Sequence, residues 1–178
     1  MQTLDQDSAS VTIDASPEAV FALVTDIDRM AEFSPELVSC RWLDGAEGPA
    51  VGARFEAVNQ LPGHRSWRNR PVVTVFEPSR RYAVSRTEPF AGTVVWRYDL
   101  STQDGRTALT ESYQVTKQVS RIGWLIIERG FGGTDRRGAL ASGMRTTLDA
   151  IKRSAESAES AETLGKEHES TSSRDDSR

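Results

Sequence analysis

Apolar residues recur at helical spacing towards the end of the chain. They fall at positions i, i+4, i+7, i+8 and i+11, which places one mainly apolar stripe on a helix predicted over residues 134–153. The stripe consists of Leu140, Met144, Thr147, Leu148 and Ile151. Thr134 can cap the first turn with its hydroxyl, and the preceding Gly132 and Gly133 let the chain bend into the helix. Because an apolar stripe needs a surface to cover, we expect this helix to lie on a sheet.

Most of the chain between Glu36 and Lys117 shows the alternation of apolar and polar residues that is typical of strands. The predicted strands cover residues 36–43, 53–60, 65–76, 82–87, 93–101 and 107–116. Pro71 lacks a backbone donor and therefore indicates an edge or a bulge in the third of them. Short turns join the strands, and the Asp104-Gly105 pair is a strong hairpin signal. Strands joined by short turns predict an antiparallel sheet.

Two short helices are predicted before this sheet, after a first strand over residues 9–14. Ser16 can cap a helix over residues 17–25, whose first position is a proline. Asp26 can cap a second short helix, which ends before Pro35 because the residue preceding a proline avoids helical geometry. The elements together predict an α+β fold, in which a curved antiparallel sheet of about seven strands is closed by one long C-terminal helix.

The chain of 178 residues suits one domain flanked by polar segments. Residues 1–8 should be loose, and residues 9–155 should form the folded domain. Residues 156–178 continue a Ser-Ala-Glu repeat, and their composition predicts a disordered acidic tail. The net charge of -4 belongs to this end of the chain, so the folded body is neutral. A neutral body argues against binding of nucleic acid or of an anionic membrane surface.

Cysteine content and hydropathy indicate a cytoplasmic protein. Cys40 is the single cysteine, so no internal disulfide can form. The N-terminus lacks the basic and apolar segments of a secretory leader, and no apolar run reaches the roughly 20 residues that a membrane span requires. We therefore expect a soluble monomer or homodimer in the cytoplasm, without stable membrane insertion.

Few residues of the usual catalytic and metal-binding kinds are present. The two histidines are His64, in a Pro-Gly turn, and His168, in the acidic tail. One cysteine and one histidine in the folded body cannot form a zinc site, and we expect neither a metal nor a cofactor. A glycine-rich segment at residues 130–134 lacks the strand and the Lys-Ser/Thr ending of a phosphate-binding loop. It is interpreted as the hinge of a mobile flap over residues 118–133.

Arginines are frequent between residues 65 and 86 and alternate with aromatic residues, which could indicate a nucleic-acid surface. In a charge-neutral body we interpret them as a solvated outer face. They are Arg65, Arg68, Arg70, Arg80, Arg81 and Arg86.

Polar and aromatic side chains share strand faces with apolar ones. Because side chains alternate with period two, Glu111 and Tyr113 point the same way as Leu109. Shared faces are also formed by Trp96, Tyr98 and Leu100 and by Trp67 and Asn69. If these faces look towards the last helix, they line a ligand pocket that is mainly aromatic with a few polar groups. The alternative is an ordinary core, with Glu111 outward in a surface pair.

Several segments carry a resemblance to a known superfamily. They are Ser16-Pro17-Glu18-Ala19-Val20-Phe21, Phe33-Ser34-Pro35-Glu36, Val51-Gly52-Ala53-Arg54-Phe55, Trp96-Arg97-Tyr98, Thr110-Glu111-Ser112-Tyr113 and Gly143-Met144-Arg145-Thr146-Thr147-Leu148. With the order of the elements, they resemble the helix-grip, START-like (SRPBCC) superfamily, and in particular its bacterial polyketide cyclase/dehydrase branch, over about residues 9–155. The resemblance implies a long cavity between the sheet and the last helix that holds a hydrophobic ligand, such as a lipid, quinone or polyketide.

The first functional hypothesis is a binding protein that carries or sequesters a hydrophobic small molecule. The predicted ligand-binding residues are Phe33, Phe55, Asn59, Trp67, Trp96, Tyr98, Glu111, Tyr113, Met144 and Leu148. Among them Glu111 and Asn59 would orient the polar end of the ligand, and the flap over residues 118–133 would control entry.

The rival hypothesis is an aromatase or cyclase that closes rings in a polyketide chain by intramolecular aldol chemistry. A buried Glu111 with a raised pKa could act as acid or base, and Tyr113 or Arg97 could polarise a carbonyl. A third hypothesis is a helper protein that binds a quinone or lipid at another complex, with the acidic tail as its contact.

Overall fold

The order of the elements comes from a computed structural model that describes residues 4–88, 92–120, 123–124 and 135–175, with side chains up to residue 161. The strands and helices of these residues are β1 (Gln6–Ile13), α1 (Pro17–Thr25), α2 (Met30–Phe33), β2 (Leu37–Trp42), β3 (Phe55–Asn59), β4 (Trp67–Asn69), β5 (Val72–Glu77), β6 (Arg81–Glu88), β7 (Gly92–Gln103), β8 (Arg106–Lys117) and α3 (Arg136–Asp175). The α+β class, the antiparallel strands and the long C-terminal helix confirm the predicted fold class.

The strands form two antiparallel sheets, ordered β1-β8-β7-β6-β5 and β2-β3-β4. The sequence predicts one sheet, and the difference arises at Pro71, where the predicted strand over residues 65–76 divides into β4 and β5. Pro71 cannot donate to a ladder, but its carbonyl accepts a hydrogen bond from the Phe55 N–H at 3.2 Å. The Val73 N–H donates to the Ala53 carbonyl at 2.9 Å, so backbone hydrogen bonds connect the two sheets at this bend.

The two short helices follow the predicted signals. In α1 the Ser16 hydroxyl accepts a hydrogen bond from the Ala19 N–H at 3.2 Å. After α1 the Asp26 side chain accepts from the Asp28 N–H at 3.1 Å, and α2 begins only at Met30. Asp26 therefore stabilises the turn before the second helix and is not its cap.

Helix α3 buries the apolar stripe that the sequence predicts. Met144, Leu148 and Ile151 are at most 2% exposed. At the start of the helix the Asp135 side chain accepts a hydrogen bond from the Gly138 N–H at 3.1 Å. Thr134, the predicted cap, lies outside the described residues, and so does most of the predicted flap.

Helix α3 also continues through the segment for which the sequence predicts a disordered tail. Glu156 Oε1 accepts hydrogen bonds from the Asp14 N–H at 2.9 Å and from Lys152 Nζ at 2.6 Å. The Ser-Ala-Glu repeat explains the continuation, since Ala and Glu are strong helix formers. Contacts with the domain extend past the predicted boundary at residue 155, and β1 begins inside the segment 1–8 predicted to be loose.

Three clusters of buried apolar residues hold these elements together. The largest joins α1, the sheet and α3 around Val20, Leu109 and Ile151. A second contains Leu140 and Met144 of α3, and a third lies on β3 around Phe55 and Ala57. All three clusters contribute to the walls of one interior space, which is the candidate site.

Candidate functional site

Tyr82, Tyr98 and Glu111 lie side by side on three neighbouring strands. Tyr98 of β7 pairs with Tyr82 of β6 on one side and with Glu111 of β8 on the other. All three residues are at most 6% exposed. The Tyr98 hydroxyl donates a hydrogen bond to Glu111 Oε1 at 3.0 Å. Direct cross-strand pairing therefore sets the geometry of this polar row.

A cavity of about 150 Å³ lies over the row, between the sheets, the two short helices and α3. Apolar side chains form much of its wall, including Val24, Ile27, Phe55, Trp96, Leu140 and Met144. Its polar groups include Asn59, Asn69, Tyr82, Arg86, Tyr98 and Glu111. A mainly apolar cavity with a few placed polar groups is the usual form of a small-molecule site.

Several buried polar atoms at this cavity lack a hydrogen-bond partner among the described residues. They are Asn69 Oδ1, Tyr82 Oη and Glu111 Oε2, each in a residue that lines the cavity. Leaving a buried polar group unpaired costs about 1–3 kcal/mol. A partner that enters the cavity and pairs with these atoms recovers that free energy.

Burial keeps the polar row uncharged near neutral pH. It raises the pKa of Glu111 to about 8, and the hydrogen bond from Tyr98 opposes this rise only in part. Burial also raises the pKa of Tyr98, and the neighbouring Glu111 carboxylate raises it further. The pKa of Tyr82 is raised mainly by burial. The row therefore presents a carboxylic acid and two phenols at neutral pH.

A second cavity of about 90 Å³ adjoins the first. The two cavities share Arg86, Trp96 and Leu140 as lining residues. Tyr113 and Trp67 also line the second cavity, and the Tyr113 and Trp96 rings lie 5.4 Å apart between centroids. The interior thus contains two neighbouring apolar spaces with one arginine in their common wall.

An ion pair joins α3 to the segment before β2 beside these cavities. Arg136 donates two hydrogen bonds to the Glu36 carboxylate, with Nη2 to Oε2 at 2.8 Å. Glu36 lines the first cavity and Arg136 lines the second. Two parallel hydrogen bonds of this kind fix both charge and orientation.

The structure brings six of the ten predicted ligand-binding residues together around the first cavity. They are Phe55, Asn59, Trp96, Tyr98, Glu111 and Met144. Trp67 and Tyr113 line the second cavity instead. Phe33 and Leu148 are buried in the largest apolar cluster and do not line either cavity.

Arg97, a candidate for polarising a carbonyl, is exposed on the outer face of β7. It alternates with Trp96 and Tyr98, which face the cavity, so the pleat of the strand turns it away. Arg97 therefore cannot act on a group held beside Glu111.

Sequence reasoning missed Tyr82 and Arg86 as cavity residues. Both lie on β6 with Val84 between them on the same face, and all three line the first cavity. Period-two alternation of this strand is the signal that could have found them. The interpretation of Arg86 as part of a solvated outer face is wrong.

The described part of the chain contains neither a cluster of metal ligands nor a membrane-spanning helix. No group of three His, Cys, Asp or Glu side chains there comes close enough to hold a metal ion. None of the described helices is long and apolar enough to cross a membrane.

The sequence matches the family model described as "Polyketide cyclase / dehydrase and lipid transport" over residues 7–156. The chain belongs to this family. The Polyketide_cyc-like protein Cgl2372 from Corynebacterium glutamicum is 36% identical, with a TM-score of 0.56, over 85% of this chain and 91% of that protein. The match confirms the family resemblance of the sequence.

Two more distant structures share the fold of this polyketide cyclase/dehydrase and lipid transport family member. A START superfamily protein from Mycobacterium smegmatis is 14% identical over 86% of this chain and 99% of that chain, with a TM-score of 0.64. The di-domain ARO/CYC protein StfQ from the steffimycin biosynthetic pathway is 11% identical over 87% of this chain and 51% of that chain, with a TM-score of 0.69. No curated protein sequence matches the chain.

Proposed function

We propose that this protein binds a hydrophobic small molecule, such as a lipid, quinone or polyketide-like compound, in the cavity between the sheets and α3. Phe55, Trp96 and Met144 contact the apolar part of the ligand. The polar row of Tyr82, Tyr98 and Glu111 receives an oxygen atom of the ligand, and Asn59 and Asn69 border the same space.

The observation that carries this proposal is the set of buried polar atoms without a described partner, which belong to residues that line a mainly apolar cavity. If the cavity held no ligand, Tyr82 Oη and Glu111 Oε2 would stay unpaired among the described residues, which lowers the free energy of unfolding. Because Glu111 is mostly protonated at neutral pH, it can donate a hydrogen bond from Oε2. A carbonyl or hydroxyl oxygen on an apolar ligand matches these donors.

Native mass spectrometry of the purified protein, followed by organic extraction, tests this proposal. We expect a bound small molecule at one copy per chain that is released into the organic phase. An empty protein that also fails to change its tryptophan fluorescence with a panel of lipids, quinones and aromatic polyketides would overturn the proposal.

A second function, ring closure in a polyketide chain, is favoured by the pKa of Glu111. At a pKa of about 8, roughly a tenth of the Glu111 side chains are ionised at pH 7. The carboxylate can take a proton from a methylene between two carbonyls, and the enolate carbon then forms a bond with a distant carbonyl carbon of the same chain. The new alkoxide takes the proton back from Glu111, and Tyr82 can donate a hydrogen bond to the attacked carbonyl. The bond between the two carbons closes the ring, and loss of the hydroxyl together with a hydrogen of the adjacent carbon, as water, then forms a double bond in it.

The Glu111→Gln variant separates the two functions, because it keeps the shape of the side chain and removes the titrating proton. Cyclase activity predicts a loss of turnover of a poly-β-keto substrate with ligand affinity retained. A binding protein without a reaction shows the same ligand affinity and no turnover before or after the change. Glu47→Gln, at an exposed loop position, is the matched control.

A further inference from the structure

Arg86 lies in the wall that separates the two cavities and lines both of them. Its guanidinium is surrounded by protein, and 20% of the side-chain surface remains accessible. Since the residue lines two interior spaces, that accessible surface faces the cavities. An arginine in this position is available to a bound molecule.

The N–H groups of Arg86 have few acceptors in the described part of the chain. Arg86 forms an ion pair with Glu88, which also lines the second cavity, but the 3.7 Å between Arg86 Nη1 and Glu88 Oε1 exceeds hydrogen-bond distance. No hydrogen bond donated by Arg86 occurs among these residues. Glu36, the other nearby carboxylate, is engaged by the two hydrogen bonds from Arg136. A guanidinium has five N–H donors, and the described residues provide no hydrogen-bond acceptor for those of Arg86.

The charges around Arg86 define what it can bind. Burial lowers its pKa, Arg136 lowers it further, and Glu88 and Glu36 oppose this effect. An arginine nevertheless stays protonated at neutral pH. The first turns of α3 add Arg136 and Leu140 to the wall of the second cavity, which brings the positive end of the helix to this region. Glu88 and Glu36 balance the charges of Arg86 and Arg136, so what Arg86 offers a ligand is its N–H groups without an acceptor among the described residues, which match the oxygen atoms of an acid group.

We infer that Arg86 binds the carboxylate of an amphipathic acid whose hydrocarbon portion occupies the apolar cavity beside it. The inference rests on the proposed ligand-binding function and names the ligand class. The planar guanidinium matches the two oxygens of a carboxylate with two parallel hydrogen bonds. Trp96 and Leu140, which border both cavities, contact the hydrocarbon next to the acid group.

The test compares decanoate with 1-decanol, which share one chain length and differ in charge at pH 7.5. Isothermal titration calorimetry measures both affinities for the wild type, Arg86→Gln, Arg86→Lys and the control Arg106→Gln, an exposed arginine at the start of β8. We expect the wild type to bind decanoate about tenfold more tightly than decanol, as for a hydrogen-bonded charge pair. Arg86→Gln should lose this preference and bind decanoate no more tightly than decanol, and its circular dichroism spectrum and cooperative urea unfolding show that the variant is folded. Arg86→Lys should keep part of the preference, and Arg106→Gln should keep all of it.

The possible outcomes distinguish this inference from the function on which it rests. Equal binding of decanoate and decanol by the wild type, or a preference that persists in Arg86→Gln, overturns the role of Arg86 and leaves ligand binding intact. Failure of both probes to bind overturns both proposals. Acetate that competes with decanoate at equal concentration would show a general anion site and would also overturn the inference.

Discussion

The Tyr98 hydroxyl donates a hydrogen bond of 3.0 Å to Glu111 Oε1, and the two residues are direct cross-strand partners in β7 and β8. The other carboxylate oxygen of Glu111 is buried and has no partner among the described residues. One oxygen of the carboxyl group is thus held by the sheet, while the second lacks a described partner in a residue that lines the cavity.

Glu111 should make the stability of the protein depend on pH. Its pKa is raised from 4.5 to about 8 in the folded state, so the unfolded chain loses this proton at lower pH than the folded chain. Its contribution is complete below pH 4.5 and is lost as the pH rises through about 8, at up to about 1.4 kcal/mol per pH unit. Urea unfolding between pH 5 and 8 should therefore show Glu111→Gln gaining stability relative to the wild type as the pH rises.

The Glu47→Gln variant controls for the general loss of a carboxylate. Glu47 is exposed, so the stability of this variant should follow that of the wild type at every pH. A constant difference between Glu111→Gln and the wild type from pH 5 to 8 would refute the raised pKa.

Tyr98→Phe should raise the pKa of Glu111 further. The Tyr98 hydroxyl stabilises the ionised carboxylate, so its removal disfavours ionisation and also costs about 1 kcal/mol of stability. Carbon-13 NMR of the glutamate carboxyl signals as a function of pH measures the change. Tyr113→Phe is the control, because the buried Tyr113 hydroxyl has no hydrogen-bond partner among the described residues, so its loss should leave the pKa of Glu111 unchanged and cost no stability. An equal pKa change in both variants would contradict the account.

The sequence predicts the fold well because its helix and strand signals are local. Ser16 and the following proline mark the start of α1, and the stripe from Leu140 to Ile151 fixes the buried face of α3. It does not predict that Pro71 divides a strand between two sheets, because the effect of a missing donor depends on which strands are neighbours. The sequence alone does not determine how far α3 extends. Low complexity favours disorder after residue 155, whereas the many Ala and Glu residues there favour helix.

The candidate site is less predictable, since it depends on which strand faces meet. Alternation in β8 places Glu111 inward, as the sequence suggests, and the same rule applied to β7 would have excluded Arg97. Arg86 was missed because arginine is usually exposed. The division of the interior into two cavities has no signal in any single strand, because side chains from β6, β7 and α3 create it together.

Ala57→Leu should block ligand binding with little loss of stability. Ala57 lines the first cavity on the face of β3 that also carries Phe55 and Asn59, so a larger side chain there occupies part of the space available to a ligand. We expect at least about tenfold weaker binding of 1-decanol, with a stability change of about 1 kcal/mol or less. Calorimetry and urea unfolding measure the two effects, and Ala50→Leu at an exposed position is the control. Unchanged affinity in Ala57→Leu would place the ligand outside this cavity.

Gly143→Ala should stabilise the protein by about 0.5–1 kcal/mol, because glycine is unfavourable inside a helix. A Cβ at this position would meet only the Pro35 ring at 3.8 Å, which is an ordinary contact. At Gly138 a Cβ would lie 2.5 Å from Asp135 Oδ2, which disturbs the helix cap. Thermal unfolding should therefore show a higher Tm for Gly143→Ala and no such gain for Gly138→Ala. A lower Tm for Gly143→Ala would show that α3 packs too tightly against Pro35 to accept a methyl group at this position.

Methionine methyl NMR tests the central claim most directly, because the chain has only three methionines. Met30 and Met144 line the first cavity, and Met1 lies outside the described residues. The Met30→Leu and Met144→Leu variants assign the two methyl signals, because each variant lacks one of them. The ligand added in the titration is 1-decanol. The account predicts saturable shifts of the Met30 and Met144 signals. Binding of decanol by calorimetry with no shift of either cavity methionine would contradict a ligand site between the sheets and α3.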